Sequence, residues 1–260
     1  MNWSLDGKRI LVTGAAAGIG LGIARACAKA RASLVVVDID YTRLVSSTRV
    51  LVDNPEALHT AELDVSSPPD VRAFFADLEK RFGTLDGMVN NAGITLEADF
   101  LSFEASDLER LWSTNLRSVF LLCQESAKLM KASGGGAIVN VGSNHSLASV
   151  PGYEMYAATK GGIAAMTRAM SWSLGACGIR VNTLSPGLTH TEEVARVAEA
   201  RPRLAESFNR LHASGRYATV DEIGATAAFL LSDGAAAITG AEIVADHGLS
   251  ALLCRSEDLK

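Results

Sequence analysis

Tyr156 and Lys160 stand four residues apart in the run Tyr156-Ala157-Ala158-Thr159-Lys160, and Ser143 lies thirteen residues before the tyrosine, at the end of an apolar, strand-like run. On a helix, positions i and i+4 share a face, so the lysine ammonium can be held near the phenol. A cation there favours the tyrosinate. A free phenol, with a pKa of about 10, is roughly three units too weak an acid at neutral pH, a deficit of about 4 kcal/mol. One unit charge about 4 Å away, at an effective dielectric of about 20, supplies about that much. Together the three residues look like a site for alcohol and ketone redox chemistry, with the phenol as proton donor and acceptor. Tyr-x-x-x-Lys alone recurs on many helix surfaces, so its weight depends on the elements that carry it.

Short β-branched runs alternate with longer helical patterns along the chain: Arg9 to Val12, Ser33 to Asp38, Ala57 to Leu63, Gly87 to Asn90, Ala137 to Val141, Arg180 to Leu184 and Ala241 to Ala245. These are seven candidate strands, apolar enough to be buried on both faces, and they indicate an α/β fold with a parallel sheet flanked by helices. No composition shift or internal repeat divides residues 1–260, which read as a single domain. Connections are short except Thr189 to Arg216, where five arginines and four glutamates suggest a helical insertion suited to a lid.

The first strand runs straight into Thr13-Gly14-Ala15-Ala16-Ala17-Gly18-Ile19-Gly20, and a helical pattern follows from Leu21 to Ala30. Glycines at a strand-to-helix corner permit a tight turn and let backbone N–H groups approach a pyrophosphate, which the helix N-terminus favours electrostatically. Asp38 ends the second strand, eighteen residues beyond Gly20. A carboxylate there can accept hydrogen bonds from the ribose hydroxyls of an adenosine and would repel a 2′-phosphate. With no basic residue among Ala15 to Ala17 to offset it, NAD is favoured over NADP as cofactor.

Composition narrows the alternatives. At 260 residues with 48% hydrophobic content the chain can bury one large core. A formal charge of -5, with no lysine/arginine cluster longer than two, gives no reason to expect a nucleic-acid or membrane-surface partner. Met1 to Arg9 has no apolar signal core and no apolar run approaches the ~20 residues that span a bilayer, so a cytoplasmic location is expected. Cys27, Cys123, Cys177 and Cys254 are scattered without C-x-x-C spacing, so each reads as a small buried apolar residue and no metal site is expected.

Thr13-Gly14-x-x-x-Gly18-Ile19-Gly20, Asp64-Val65, Asn90-Asn91-Ala92-Gly93, Asn115, Ser143, Tyr156-x-x-x-Lys160, Pro186-Gly187 and Thr191 follow one another in a familiar order and spacing. In these motifs, over nearly its whole length, the chain resembles the compact single-domain branch of the short-chain dehydrogenase/reductase family. The resemblance implies a Rossmann-like doubly wound sheet of about seven parallel strands and reversible hydride transfer between a nicotinamide cofactor and a carbinol or carbonyl carbon. It implies that Ser143 hydrogen-bonds the substrate oxygen, that Tyr156 exchanges the proton, and that Lys160 favours the ionised phenol and grips the nicotinamide ribose. Asn115, a polar amide in the apolar helical pattern Leu108 to Met130, would join a water-linked relay to the lysine. Asp64 and Val65 would flank the adenine. Asn91, with Ala92 and Gly93, would line the cleft or chiefly tie neighbouring strands together. Thr191 would reach the carboxamide, and Gly14, Ala17, Gly18, Ile19, Gly20, Asp38, Pro186 and Gly187 complete the implied cofactor set.

The substrate side is marked by departures from the pattern. Asp246-His247-Gly248 replaces an acidic-Gly-Gly turn, and His247 reads as structural. Asn144 and His145 follow Ser143, while Tyr153 and Glu154 precede Tyr156. These four fall where a pocket mouth would be, with His145 and Tyr153 the stronger candidates. A polar wall of this kind suits a polyol, a sugar or a cyclic alcohol better than a bare alkyl chain. The competing enzyme is a 3-oxoacyl-acyl-carrier-protein reductase, disfavoured by Asp38 and by Trp172 where such enzymes tend to carry a basic residue. The competing non-enzyme is a nucleotide-sensing or scaffold relative, which would need a damaged site. The long helical patterns Ser106 to Lys131 and Gly152 to Cys177 resemble the pair through which family members assemble, so a homotetramer is expected.

Overall fold

The computed structural model describes residues 3–252. In chain order its elements are β1 (Arg9–Thr13), α1 (Gly18–Lys29), β2 (Ser33–Asp38), α2 (Tyr41–Thr48), β3 (Leu58–Glu62), α3 (Pro68–Phe82) and β4 (Gly87–Asn90). There follow α4 (Ala105–Trp112), α5 (Ser118–Ala132), β5 (Gly136–Val141), α6 (Glu154–Gly175) and β6 (Ile179–Pro186). The last part holds β7 (Thr189–His190), α7 (Glu192–Ala200), α8 (Pro202–Arg210), β8 (Ala218–Thr219), α9 (Val220–Leu231) and β9 (Glu242–Ala245). Seven strands form one parallel sheet in the order β3-β2-β1-β4-β5-β6-β9, and they are the seven runs expected from β-branched density.

Alternation along each strand explains the double winding. In β1, Ile10 and Val12 pack with Ile23, Ala24 and Cys27 of α1 and Ile223 and Ala227 of α9 on one face. Leu11 turns to the opposite face, among Val71, Phe75 and Leu78 of α3, Leu122 and Met130 of α5, and Ile163 of α6. Both faces are covered, which is why the strands read as near-continuous apolar runs. The connection order reverses between β1 and β4, so their C-terminal ends part there and leave the crevice in which a doubly wound sheet holds its ligand.

A buried polar ladder aligns the strands beneath that crevice. Asn90 of β4 donates to Asn140 Oδ1 of β5 at 2.7 Å, Asn140 donates to Thr167 Oγ1 of α6 at 2.9 Å, and Thr183 of β6 reaches the same hydroxyl at 2.9 Å. Polar groups this deep are tolerated only when paired, and pairing them fixes the height of α6 against three strands. Cys27 and Cys123 are buried as expected, whereas Cys177 is only half-buried; Cys254 lies outside the described residues.

The segment from Thr189 to Arg216 is helical, as read from its composition, and is built from α7 and α8. Its base is pinned by β7 pairing with β8, two strands of two residues each. Among the described residues no helix is long and apolar enough to cross a membrane.

Candidate active site

The glycine corner is shaped by close approach. A Cβ on Gly20 would lie 2.0 Å from the carbonyl oxygen of Gly14, and one on Gly14, whose φ is +65°, would lie 2.9 Å from Ala92 Cα. Only glycine lets β1 turn this tightly into α1 while lying against the end of β4. The α1 N-terminus is capped by no side chain, since Ala17 stands at the N-cap, and its first turn, which lines the crevice through Gly18 and Ile19, holds no acidic residue.

Asn91 holds the other wall. Its amide donates to the carbonyls of Thr13 (3.0 Å) and Gly14 (3.1 Å), and the Thr13 hydroxyl accepts from the backbone N–H groups of Asn91 and Ala92, each at 3.0 Å. Asn91 therefore ties β4 to the glycine corner and lines the cleft at once. Thr13 is a second organiser of this wall, one that sequence reasoning passed over although it opens the motif.

The larger arm of the cleft encloses about 810 Å³ and is lined by Gly14, Ala17, Gly18 and Ile19 on one side and Asp38, Asp64 and Val65 on another. Asp38 accepts from Ala16 N (2.9 Å) and Asp40 N (3.0 Å), so its carboxylate is held at the rim by backbone. Arg43 of α2 also lines this arm, and its guanidinium reaches Glu192 of α7 at 2.7 Å. Thr191, the N-cap of α7, lies within reach of Gly18: a Cβ there would be 3.5 Å from Thr191 Cγ2. The start of the helical segment thus lies against the glycine corner.

The smaller arm, about 150 Å³, shares Ile19, Asn91 and Gly93 with the larger one and adds Ser143, Tyr156, Lys160, Pro186 and Gly187. Lys160, 5% exposed, donates to the Val141 carbonyl at 3.0 Å and its Nζ lies 5.7 Å from the centroid of the half-buried Tyr156 ring. Burial holds the Lys160 ammonium below the usual lysine range, while the neighbouring Tyr156 acts in the opposite sense. Ser143 leaves β5 as the N-cap of a short 3₁₀ turn, its hydroxyl accepting from His145 N at 3.2 Å. That turn is fastened by Glu242 of β9, which accepts from both Ser146 and Ser185. Nothing in the sequence around Glu242 signals this role.

Asn115 lies in a π-helical turn, Ser113–Arg117, between α4 and α5, an interruption that the continuous helical pattern did not reveal. Its Oδ1 accepts from Ile94 N and its Nδ2 donates to Ile94 O, both at 2.8 Å. The amide is satisfied by backbone, and it fixes the loop whose Gly93 lies between Asn115 and Lys160: a Cβ there would sit 3.2 Å from Asn115 Oδ1 and 3.7 Å from Lys160 Nζ.

His145 and Tyr153 border Tyr156, with ring centroids 5.4 and 6.3 Å from it and 5.0 Å from each other. Glu154 turns back to its own turn, accepting from Gly152 N at 3.2 Å. His247 adopts a left-handed backbone, φ +52°, where the expected pattern has glycine, and its Nε2 is 3.5 Å from Glu222. It lies against the base of α9.

Comparison with known proteins agrees with this geometry. The family model described as enoyl-(acyl carrier protein) reductase matches residues 14–250. The D-threitol dehydrogenase of Mycolicibacterium smegmatis is 36% identical over 95% of this chain and 94% of its own. The levodione reductase of Leifsonia aquatica is 35% identical over 93% of this chain and 94% of its own. A gluconate 5-dehydrogenase from Burkholderia cenocepacia, solved in complex with NADP and tartrate, superposes with a TM-score of 0.90 at 34% identity, over 97% of this chain and 98% of its own. The chain belongs to the short-chain dehydrogenase/reductase family, and is an oxidoreductase of alcohol and ketone groups that works with a nicotinamide cofactor.

Proposed function

We propose that the protein is an NAD-dependent dehydrogenase that interconverts a secondary alcohol and its ketone, the alcohol being a polyol, a sugar or a cyclic alcohol. The observation that carries this reading is the meeting of Ser143, Tyr156 and buried Lys160 in one chamber that opens into the glycine-lined cleft. The cleft fits a dinucleotide: glycines stand where a Cβ would collide, and an α-helix N-terminus without a side-chain cap faces it. Gly14, Gly18 and Gly20 would admit the diphosphate, Asp38 the adenosine ribose, Asp64 and Val65 the adenine, and Thr191, Pro186 and Gly187 the nicotinamide end. A nicotinamide held there would supply the hydride acceptor for the carbinol carbon in oxidation and the hydride donor in reduction.

The protein's own residues manage the oxygen. Ser143 donates a hydrogen bond to it as charge develops, and Tyr156 accepts the hydroxyl proton in oxidation or supplies it in reduction. Lys160 keeps the phenol poised and, with its helix pinned through Thr167 to β5 and β6, keeps it in place. Asn115 supports the relay by holding Ile94 and hence Gly93 beside the ammonium.

NAD is preferred over NADP on electrostatic grounds: Asp38 lies where a 2′-phosphate would approach, and Arg43, the nearby cation, is engaged by Glu192. The gluconate 5-dehydrogenase it resembles was solved with NADP, so this preference rests on Asp38 alone. We propose further that it works in the cytoplasm as a homotetramer. Incubation with NAD and a panel of secondary alcohols, polyols and cyclic diols tests the reading by NADH absorbance. Turnover of one class with NAD supports it. Reduction of 3-oxoacyl thioesters with NADPH and inertness toward the whole panel would replace it.

A further inference from the structure

Tyr153 extends the wall beside Tyr156 to a carboxylate far from the site in sequence. The Tyr153 hydroxyl donates to Glu97 Oε2 at 3.0 Å, across 56 residues of chain. Glu97 belongs to the irregular segment that follows β4, and that segment is fixed to the start of α6: Ala98 N donates to Gly152 O at 3.0 Å. Gly152, at φ +89°, packs so closely that a Cβ would lie 3.2 Å from Glu97 Cγ. The other polar member of the wall, His145, shares its Nδ1 with Ser149 Oγ at 2.9 Å. Burial holds its imidazole below the ordinary histidine range and so disfavours its charged form. The arginines of the cleft, Arg43, Arg110 and Arg196, line the larger arm instead.

We propose that Glu97, held by Tyr153, is a specificity residue that admits uncharged polyhydroxy or cyclic substrates and rejects carboxylates. This rests on the reading of Tyr156 as the proton carrier. A carboxylate has about four acceptor sites, of which Tyr153 occupies one, so oxygens remain to accept from substrate hydroxyls. An anionic substrate would bring a like charge to Glu97, while the cation of the small chamber, Lys160, is buried beside Tyr156, its Nζ 5.7 Å from that ring's centroid. Among the relatives, the chain is thereby set apart from an enzyme named for gluconate, and it shares the neutral chemistry that the names threitol and levodione denote.

The test is steady-state kinetics of wild type, Glu97→Gln and Glu97→Lys with NAD, on neutral four- to six-carbon polyols and their aldonates of equal length. In wild type the polyols are expected to exceed the aldonates in kcat/KM by tenfold or more, and added salt is expected to narrow that gap by screening. Glu97→Lys is expected to close or reverse the gap through KM, with kcat on the best polyol changed only severalfold. Glu97 is exposed, and Tyr153→Phe, which leaves the carboxylate but cuts its hydrogen bond, is a second variant expected to narrow the gap less. A ratio unchanged across all variants and salt concentrations, or a wild-type preference for aldonates, would overturn the inference while leaving the dehydrogenase reading intact. Proteins that bind NAD by thermal shift but oxidise no alcohol of any class would overturn both.

Discussion

Lys160 meets two opposed demands. Its ammonium is useful only while charged, yet the chain buries it to 5% exposure and provides one backbone carbonyl, Val141 O, as a hydrogen-bond partner. Its remaining donors face Tyr156 and the space beside Gly93, where a ribose would lie. A buried ammonium missing its usual solvent is a strong electrostatic neighbour because little water screens it. Replacing Lys160 with methionine should lower kcat for oxidation at least a hundredfold. The proposed preference for NAD rests on the charge of Asp38. Asp38→Ser should lower the NAD to NADP ratio of kcat/KM by about tenfold or more, read from initial rates with each cofactor. The cysteines behave differently: burial pushes the Cys27 and Cys123 thiols up to about 12. Both should resist a thiol reagent in the native protein at pH 8 and react on unfolding. Since their folded values exceed the unfolded value near 9, the native state holds more protons between pH 9 and 12, and this contribution to stability declines as pH rises through that window.

At the scale of elements, legibility follows the strength of local signals. The seven sheet strands are visible because burial on both faces forces continuous β-branched runs, and the glycine corner because a turn at that radius excludes every other residue. Gly20→Ala should therefore abolish stable folding or NAD binding, measured by thermal shift, since no rearrangement absorbs a 2.0 Å approach to backbone. The π turn at Ser113–Arg117 is invisible in sequence because it leaves the apolar spacing on either side near helical. The strands β7 and β8 are too short, at two residues each, to show any period. Glu97 and Glu242 escape notice for a different reason: each acts through tertiary contacts 56 or more residues away, on segments whose own composition is ordinary. His145 and Tyr153 could be placed near the site from adjacency to Ser143 and Tyr156, but their shared wall needed the fold.

The whole molecule joins three distant parts of the chain at one crevice: the glycine corner of β1, the ends of β4 and β5, and the face of α6 carrying Tyr156 and Lys160. On the far side, Phe120 of α5 and Trp172 of α6 stand 50% and 90% exposed, large apolar residues that an assembly would cover. Light scattering after size exclusion should give about four times the 27.3 kDa chain mass, and a monomer at micromolar concentration would refute the tetramer. The proposed reaction turns on the Tyr156 hydroxyl, the atom that is to carry the proton. Its most direct test is the single-turnover rate of NADH formation by wild type and Tyr156→Phe, on the best alcohol substrate and with NAD affinity measured for both. A loss of about a thousandfold or more with cofactor binding retained is the expected result. A rate near wild type in the phenylalanine variant would contradict it.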